Sequence, residues 1–179
     1  MPKYVAFLRA INVGGHTVTM DLLRELFSAI GCAKVETFIA SGNVIFASNS
    51  KNAKALEQKI EKHLKASLGY EVVTFIRAVS ELAAIAERNP FGTADLDATG
   101  GAIYIAFVSE TPSAEAIRKL LSCASNTDDF RVHGREVYWL IRANFSDSAF
   151  SGARLEKTLG MSATVRNSTT VRKLAAKYS

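Results

Sequence analysis

The chain has 179 residues, of which 48% are hydrophobic and 22% charged, enough for one globular domain or two small ones. It has no apolar run near the roughly 18 residues that a membrane helix needs, and the apolar stretch near its N-terminus is too short for a secretory signal. We therefore expect a cytoplasmic protein with no membrane partner. The net charge is +5, and residues 151–179 carry all of it, since six lysines and arginines stand there against Glu156 alone.

The first half of the chain predicts strands and helices in a regular order. An apolar strand is expected at Tyr4–Leu8 and an amphipathic helix at Met20–Ile30, capped by Thr19. The next elements are strands at Lys34–Ile39 and Asn43–Ala47, a helix from a Ser50 cap to Leu68, a strand at Glu71–Arg77 and a helix at Ser80–Arg88. Without its last helix, this order is β-α-β-β-α-β, which is the ferredoxin-like motif.

The second half repeats the order of the first after a loop at Phe91–Gly101. Its strands are expected at Ala102–Val108, Phe130–Val132, Glu136–Arg142 and Ala163–Arg166, and its helices at 111–122, Ser151–Leu159 and Thr169–Tyr178. We predict an α+β fold of two tandem ferredoxin-like units, each followed by an extra helix. The domains would be residues 1–90 and 91–179. The repeat is visible in element order and not in residue identities.

Three of the predicted strands are apolar at nearly every position, namely Tyr4–Leu8, Val44–Ala47 and Ala102–Val108. A strand of this kind is usually buried on both faces of its sheet. The second face must then be covered by the extra helices, by the other half of the chain or by a second subunit. This covering argues against a bare sheet that serves as an RNA platform.

The loop that follows the first strand carries the strongest candidate site. Glycines at a strand-to-helix turn let backbone N–H groups approach an anion, and the helix N-terminus favours negative charge. Arginine can add a bidentate contact, and asparagine or histidine a neutral donor. The candidate ligand-binding residues here are Arg9, Asn12, Gly14, Gly15 and His16. The same residues are also explained by a turn whose glycines are needed only for the positive φ of its backbone.

Two further polar clusters follow strands. Ser41-Gly42-Asn43 forms a hairpin turn, which we expect at the opposite end of the sheet from the first loop. Arg166 and Asn167 lie between the last strand and the final helix, with Arg172 beyond them. They could join the first site if the two halves pack together, although capping of the helix by Asn167 or its neighbours also explains the cluster.

Motifs of known chemistry are missing from the sequence. The glycines match neither the dinucleotide fingerprint nor the P-loop, and no nucleophile elbow is present. Cys32 and Cys123 are too far apart for metal-ligand spacing, and the three histidines are scattered. We predict two reduced thiols, no metal and no cofactor.

Several segments together resemble one family. These are Leu8–Gly15, Ser41–Phe46, Arg88–Phe91, Leu155–Gly160 and Thr164–Asn167, which are similar to the bacterial proteins grouped as domain of unknown function 1697. The resemblance covers essentially the whole chain and implies a two-part α/β fold in a cytoplasmic bacterial protein. It implies no reaction. The family usually has an aromatic residue, typically Trp, where this chain has Ser168.

Three functions are compatible with these features, and the sequence does not decide whether the protein is an enzyme. The first is binding of a small anionic, phosphate-containing ligand at the first loop, where His16 would be the proton carrier of any reaction. The second is nucleic-acid binding through the basic segment 151–179. The third is a non-catalytic interaction protein that forms a homodimer.

Overall fold

The computed structural model describes residues 1–11, 17–39, 42–92, 101–142, 148 and 150–179. Over these residues the fold is α+β, with two four-stranded antiparallel sheets and six helices. The strands are β1 Lys3–Leu8, β2 Ala33–Thr37, β3 Asn43–Ala47, β4 Thr74–Ala78, β5 Ala102–Phe107, β6 Asp128–His133, β7 Glu136–Ile141 and β8 Thr164–Asn167. The helices are α1 Met20–Ala29, α2 Ala53–Leu68, α3 Val79–Glu87, α4 Ala114–Leu121, α5 Gly152–Leu159 and α6 Ser168–Tyr178.

The chain divides into two compact units. Unit 1 comprises residues 1–83 and 174–179, and unit 2 comprises residues 84–173. The strand order is β2-β3-β1-β4 in unit 1 and β6-β7-β5-β8 in unit 2, so the two sheets have the same arrangement. The division falls inside α3 and inside α6, whereas the predicted domain boundary follows residue 90.

The β2–β3 hairpin lies at the same end of its sheet as the first loop, which corrects the expected placement. Leu8 at the end of β1 donates its backbone N–H to the Gly42 carbonyl at 2.8 Å, and Arg9 donates to Val73 at 2.9 Å. The reason is that β1 and β3 are antiparallel, so the end of one meets the start of the other. The turn residues 40 and 41 lie outside the described residues.

Both faces are buried along most of β1, β3 and β5, as their apolar sequences predict, whereas the edge strands β2 and β6 have exposed residues. In β1, Tyr4, Ala6 and Leu8 face a core with α1 and α2, whereas Val5 and Phe7 face the other side and are 0% exposed. The extra helices supply part of this second cover. Tyr138 donates its hydroxyl to the Ile85 carbonyl of α3 at 2.8 Å in unit 2. The second faces are therefore buried within one chain, without a second subunit.

The central strands β1 and β5 also correspond residue by residue. Ala6 pairs with Val44 and Ile76, and Ala106 pairs in the same way with Val137 and Val165. This register superimposes Tyr4-Val-Ala-Phe-Leu8 on Tyr104-Ile-Ala-Phe-Val108. Three of these five residues are identical, so the expectation that no residue identities repeat was wrong for β1 and β5.

Helix ends follow the local sequence closely, with one correction. The Thr19 hydroxyl accepts from Leu22 N at 3.1 Å, which confirms the expected cap of α1. The cap of α2 is Asn52 rather than Ser50, since the Asn52 side chain accepts from Ala55 N at 3.0 Å. Ser50 instead accepts from Asn52 N and orders the residues before the helix. None of the helices in the described ranges is both long and apolar enough to cross a membrane.

Candidate functional site

The first predicted site lies mostly outside the described residues, which exclude Asn12, Gly14, Gly15 and His16. Arg9 is partly buried at the end of β1. The residue after it, Ala10, has φ 54°, and Ile39 in the neighbouring hairpin has φ 47°. Left-handed backbone in non-glycine residues is uncommon and often occurs near functional sites. This edge of unit 1 therefore has an unusual backbone, and its role as an anion site stays a prediction.

Arg166, the second predicted contributor, binds within its own strand. Its Nη1 donates to the Thr164 hydroxyl at 2.6 Å and to the Val165 carbonyl at 3.0 Å. Burial lowers the pKa of Arg166 to about 10, so the guanidinium is charged at neutral pH. It occupies the position that the fully buried Arg77 occupies in unit 1, because Arg166 pairs with Ile105 as Arg77 pairs with Val5.

Asn167 caps α6 and borders a cavity in unit 2. Its side-chain oxygen accepts from Thr169 N at 2.9 Å, so this residue turns β8 into the helix. The cavity has a volume of about 460 Å³ and is formed by the end of α3, the start of β5 and the start of α6. Its lining residues are Ala86, Glu87, Arg88, Asn89, Gly101, Ala102, Ile103, Asn167, Ser168, Thr169 and Arg172. We call it the α6 cavity.

The polar groups of the α6 cavity suit an anion. Arg88 and Arg172 bring two guanidinium groups from different elements, and Arg172 Nη2 donates to the Thr169 hydroxyl at 3.2 Å. The first turn of α6 has no acidic residue, so the positive end of the helix dipole adds to these charges. Asn89 holds its own loop, since its side chain bonds to Phe91 N and to the Gly92 carbonyl. The arrangement combines cationic and helix-terminal attraction in one cavity.

Unit 1 has a cavity of about 320 Å³ in the equivalent place, formed in part by Ala78, Val79 and Ser80 at the start of α3. By the register of the two sheets, Ala78 corresponds to Asn167. Counting five residues onward, Ala83 stands where unit 2 has Arg172. The Glu81 carboxylate accepts from Ala78 N at 2.8 Å and places a negative charge at this helix start. The two equivalent cavities therefore differ in their cations, since Arg88 and Arg172 line the α6 cavity and Lys3 lines the cavity of unit 1.

The basic segment 151–179 is distributed over several elements. Arg154 lies over the Phe150 ring at 5.0 Å in unit 2, and Lys177 lies over the Phe38 ring at 5.4 Å in unit 1. Arg166 is partly buried in β8. These charges do not form a single row along one helix, and nucleic-acid binding stays a prediction.

The surroundings of the two cysteines do not activate either thiol. Burial raises the pKa of the Cys32 thiol, with Lys59 opposing the shift, so this thiol is a poor nucleophile near neutral pH. Cys123 donates to the Lys119 carbonyl in the last turn of α4. Within the ranges that the structure describes, no three histidine, cysteine or acidic side chains cluster as metal ligands would.

The sequence indicates two lining residues of the α6 cavity, Asn167 as a candidate ligand-binding residue and Arg172 near it. It does not connect Arg88 with these two residues. A signal was present, because the Arg88-Asn89-Pro90 and Arg166-Asn167-Ser168 segments each end or begin a helix. Only the strand pairing of β5 with β8 shows that these two segments of unit 2 border the same cavity.

Comparison with known proteins agrees with this fold. Residues 1–138 match the family described as protein of unknown function (DUF1697). A solved structure titled as that of the conserved bacterial protein SP0830 from Streptococcus pneumoniae superimposes with a TM-score of 0.75 at 21% sequence identity. The match covers 99% of this chain and 98% of that chain, which shows a shared fold. No curated protein sequence matches the chain. Because the family match spans most of its length, the chain belongs to the DUF1697 family.

Proposed function

We propose that the protein binds a small phosphate-containing anion in the α6 cavity. The observation that carries the proposal is the pairing of Arg88 and Arg172 around the start of α6, a helix with no acid in its first turn. Guanidinium groups and helix N-termini both bind phosphate through well-directed N–H donors. The equivalent cavity in unit 1 has no counterpart of Arg172, since Ala83 stands at that position.

We further infer that the two units are tandem ferredoxin-like repeats and that the protein is cytoplasmic. The shared strand order and the β-α-β-β-α-β succession in each half support the first inference. The first loop, with Arg9, Asn12, Gly14, Gly15 and His16, is a separate proposed anion site in unit 1. Its support is the left-handed backbone at Ala10 and Ile39.

The test of the proposed function is titration calorimetry of inorganic phosphate at low ionic strength. We expect Arg172→Ala to weaken phosphate binding about tenfold, because a hydrogen bond to a charged group contributes roughly 1.5–3 kcal/mol and 1.4 kcal/mol is tenfold. Arg88→Ala should weaken it as well. Lys173→Ala is the matched control, since Lys173 is an exposed cation on the same helix and is not part of the cavity lining.

Two results would contradict the proposed function. One is the absence of saturable phosphate binding to the unmodified protein. The other is equal weakening by Lys173→Ala and Arg172→Ala, which would show attraction by net charge rather than by the cavity.

A further inference from the structure

We propose that the α6 cavity takes a sugar phosphate, meaning the phosphate monoester of a hydroxyl-rich body. This inference rests on the proposed function, and it specifies the organic group to which the phosphate is attached. Three features of the cavity lead to it, namely its size, the presence of a carboxylate in its lining and the kind of apolar surface it offers.

The size of the cavity exceeds what a bare phosphate needs. Its volume of about 460 Å³ is some fifteen times the ~30 Å³ that one water molecule occupies in the liquid. An inorganic phosphate has five heavy atoms and would leave most of this space to water. Cavities of this volume are typical of sites for small organic ligands.

A carboxylate also lines the cavity beside the two arginines. Glu87 is the last residue of α3 and lines the cavity together with the start of α6, and Glu87 is exposed to solvent. A carboxylate near a bare phosphate would only repel it. It can accept hydrogen bonds from hydroxyl groups, and such charge-assisted bonds are among the stronger ones. Glu87 therefore suits the hydroxyl groups of an organic body whose phosphate lies at α6.

The apolar surface of the cavity favours a sugar over a nucleoside. It comes from Ala86, Ala102 and Ile103, and the lining residues in the described ranges include no aromatic ring. Proteins hold nucleobases largely by stacking them on aromatic side chains. A small aliphatic surface next to polar groups matches the mixed C–H and O–H surface of a sugar.

The experiment compares four probes by titration calorimetry on the full chain: inorganic phosphate, glucose 6-phosphate, ribose 5-phosphate and adenosine 5′-monophosphate. We expect at least one sugar phosphate to bind about tenfold more tightly than inorganic phosphate and more tightly than the nucleotide. Glu87→Ala should remove this advantage and leave the affinity for inorganic phosphate unchanged or higher. Glu115→Ala is the control, because Glu115 is an exposed acid of unit 2 that pairs with Lys119 on α4.

Each outcome decides between the proposals. If inorganic phosphate binds as tightly as both sugar phosphates, or if Glu87→Ala leaves their advantage intact, the sugar phosphate inference is wrong and the proposed anion binding stands. Tighter binding of the nucleotide than of the sugar phosphates overturns the inference in favour of a nucleotide. If none of the four probes binds, the proposed function itself is wrong.

Discussion

Asp128 is a buried carboxylate that organises one end of unit 2. Its Oδ1 accepts from the Trp139 indole N–H at 2.8 Å and from the Ser148 hydroxyl at 2.6 Å, and its Oδ2 accepts from Thr127 at 2.8 Å. The side chain is 1% exposed, and Trp139 is fully buried. A buried carboxylate stabilises the fold only when hydrogen bonds from such donors offset the cost of removing its charge from water.

We expect Asp128→Ala to lower the free energy of unfolding by about 3 kcal/mol, because it leaves the buried Trp139 donor without its acceptor. Urea denaturation would measure the change. The control is Asp21→Ala, an acid on α1 whose side chain is 81% exposed and whose loss should cost less than about 0.5 kcal/mol. Equal losses in the two variants would contradict the structural role of Asp128.

Tyr138 gives a residue-level prediction about pH. Burial, with a smaller contribution from the nearby Glu136 and opposition from Arg88, raises the pKa of Tyr138 to about 12. Between pH 10 and 12 the unfolded chain therefore loses the phenol proton while the folded chain keeps it, so this group's stabilisation is complete below pH 10 and falls as pH rises.

We expect Tyr138→Phe to cost about 1 kcal/mol at pH 8 through the lost hydrogen bond to Ile85. The difference in unfolding free energy between the unmodified protein and this variant should shrink from pH 10 upward. Urea titrations at pH 8, 10 and 11.5 would measure it. A difference that stays constant over this range would show that the phenol does not titrate as proposed.

At the scale of elements, the helix ends are determined by neighbouring residues. Each of the helices α2 and α5 is followed by a glycine in the left-handed backbone region, which is Gly69 with φ 84° after α2 and Gly160 with φ 71° after α5. Each donates its N–H to the carbonyl four residues earlier, at 2.9 and 2.8 Å. Because each glycine ends its helix through a contact within four residues, these helix ends were predictable from the sequence.

The glycine that begins α5 and the glycine that follows it should respond to alanine in opposite directions. Gly160→Ala should cost about 1 kcal/mol or more, because a side chain is strained at positive φ although no atom lies within 4 Å of the added carbon. Gly152→Ala should be neutral or stabilise by up to about 1 kcal/mol, because Gly152 lies inside the helix and also has free space. Thermal denaturation would measure both, and effects of the same sign would contradict the assigned backbone.

At the scale of the whole molecule, the two ends of the chain belong to the same unit. Leu174 is fully buried, the Tyr178 hydroxyl donates to Glu36 at 2.9 Å, and the Tyr178 ring lies 6.0 Å from that of Phe38. Residues 174–179 are thus part of unit 1, although residues 84–173 separate them from the rest of it. Unit 1 therefore requires the complete chain for its native packing.

We expect removal of residues 174–179 to destabilise unit 1, with faster amide hydrogen exchange in peptides that cover β2 and β3. Leu174→Ala is a milder variant and should cost about 2–5 kcal/mol, since it leaves a cavity at a fully buried position. Unchanged exchange of residues 33–47 in both variants would contradict the membership of the C-terminal segment in unit 1.

The sequence by itself determined the order of the elements and most helix ends. Thr19, Gly69 and Gly160 act on backbone groups within four residues, and the apolar strands indicated burial on both of their faces. These features depend on contacts that are local or on composition alone. The family resemblance was also visible in short motifs, and the match over residues 1–138 confirms it.

Only the tertiary structure decided which distant segments meet. It placed the β2–β3 hairpin beside the first loop, joined Arg88 to Arg172 around the α6 cavity, and assigned residues 174–179 to unit 1. The first of these depends on strand pairing, and the other two depend on packing between segments far apart in the chain. Neither kind of contact leaves a periodic signal in the sequence.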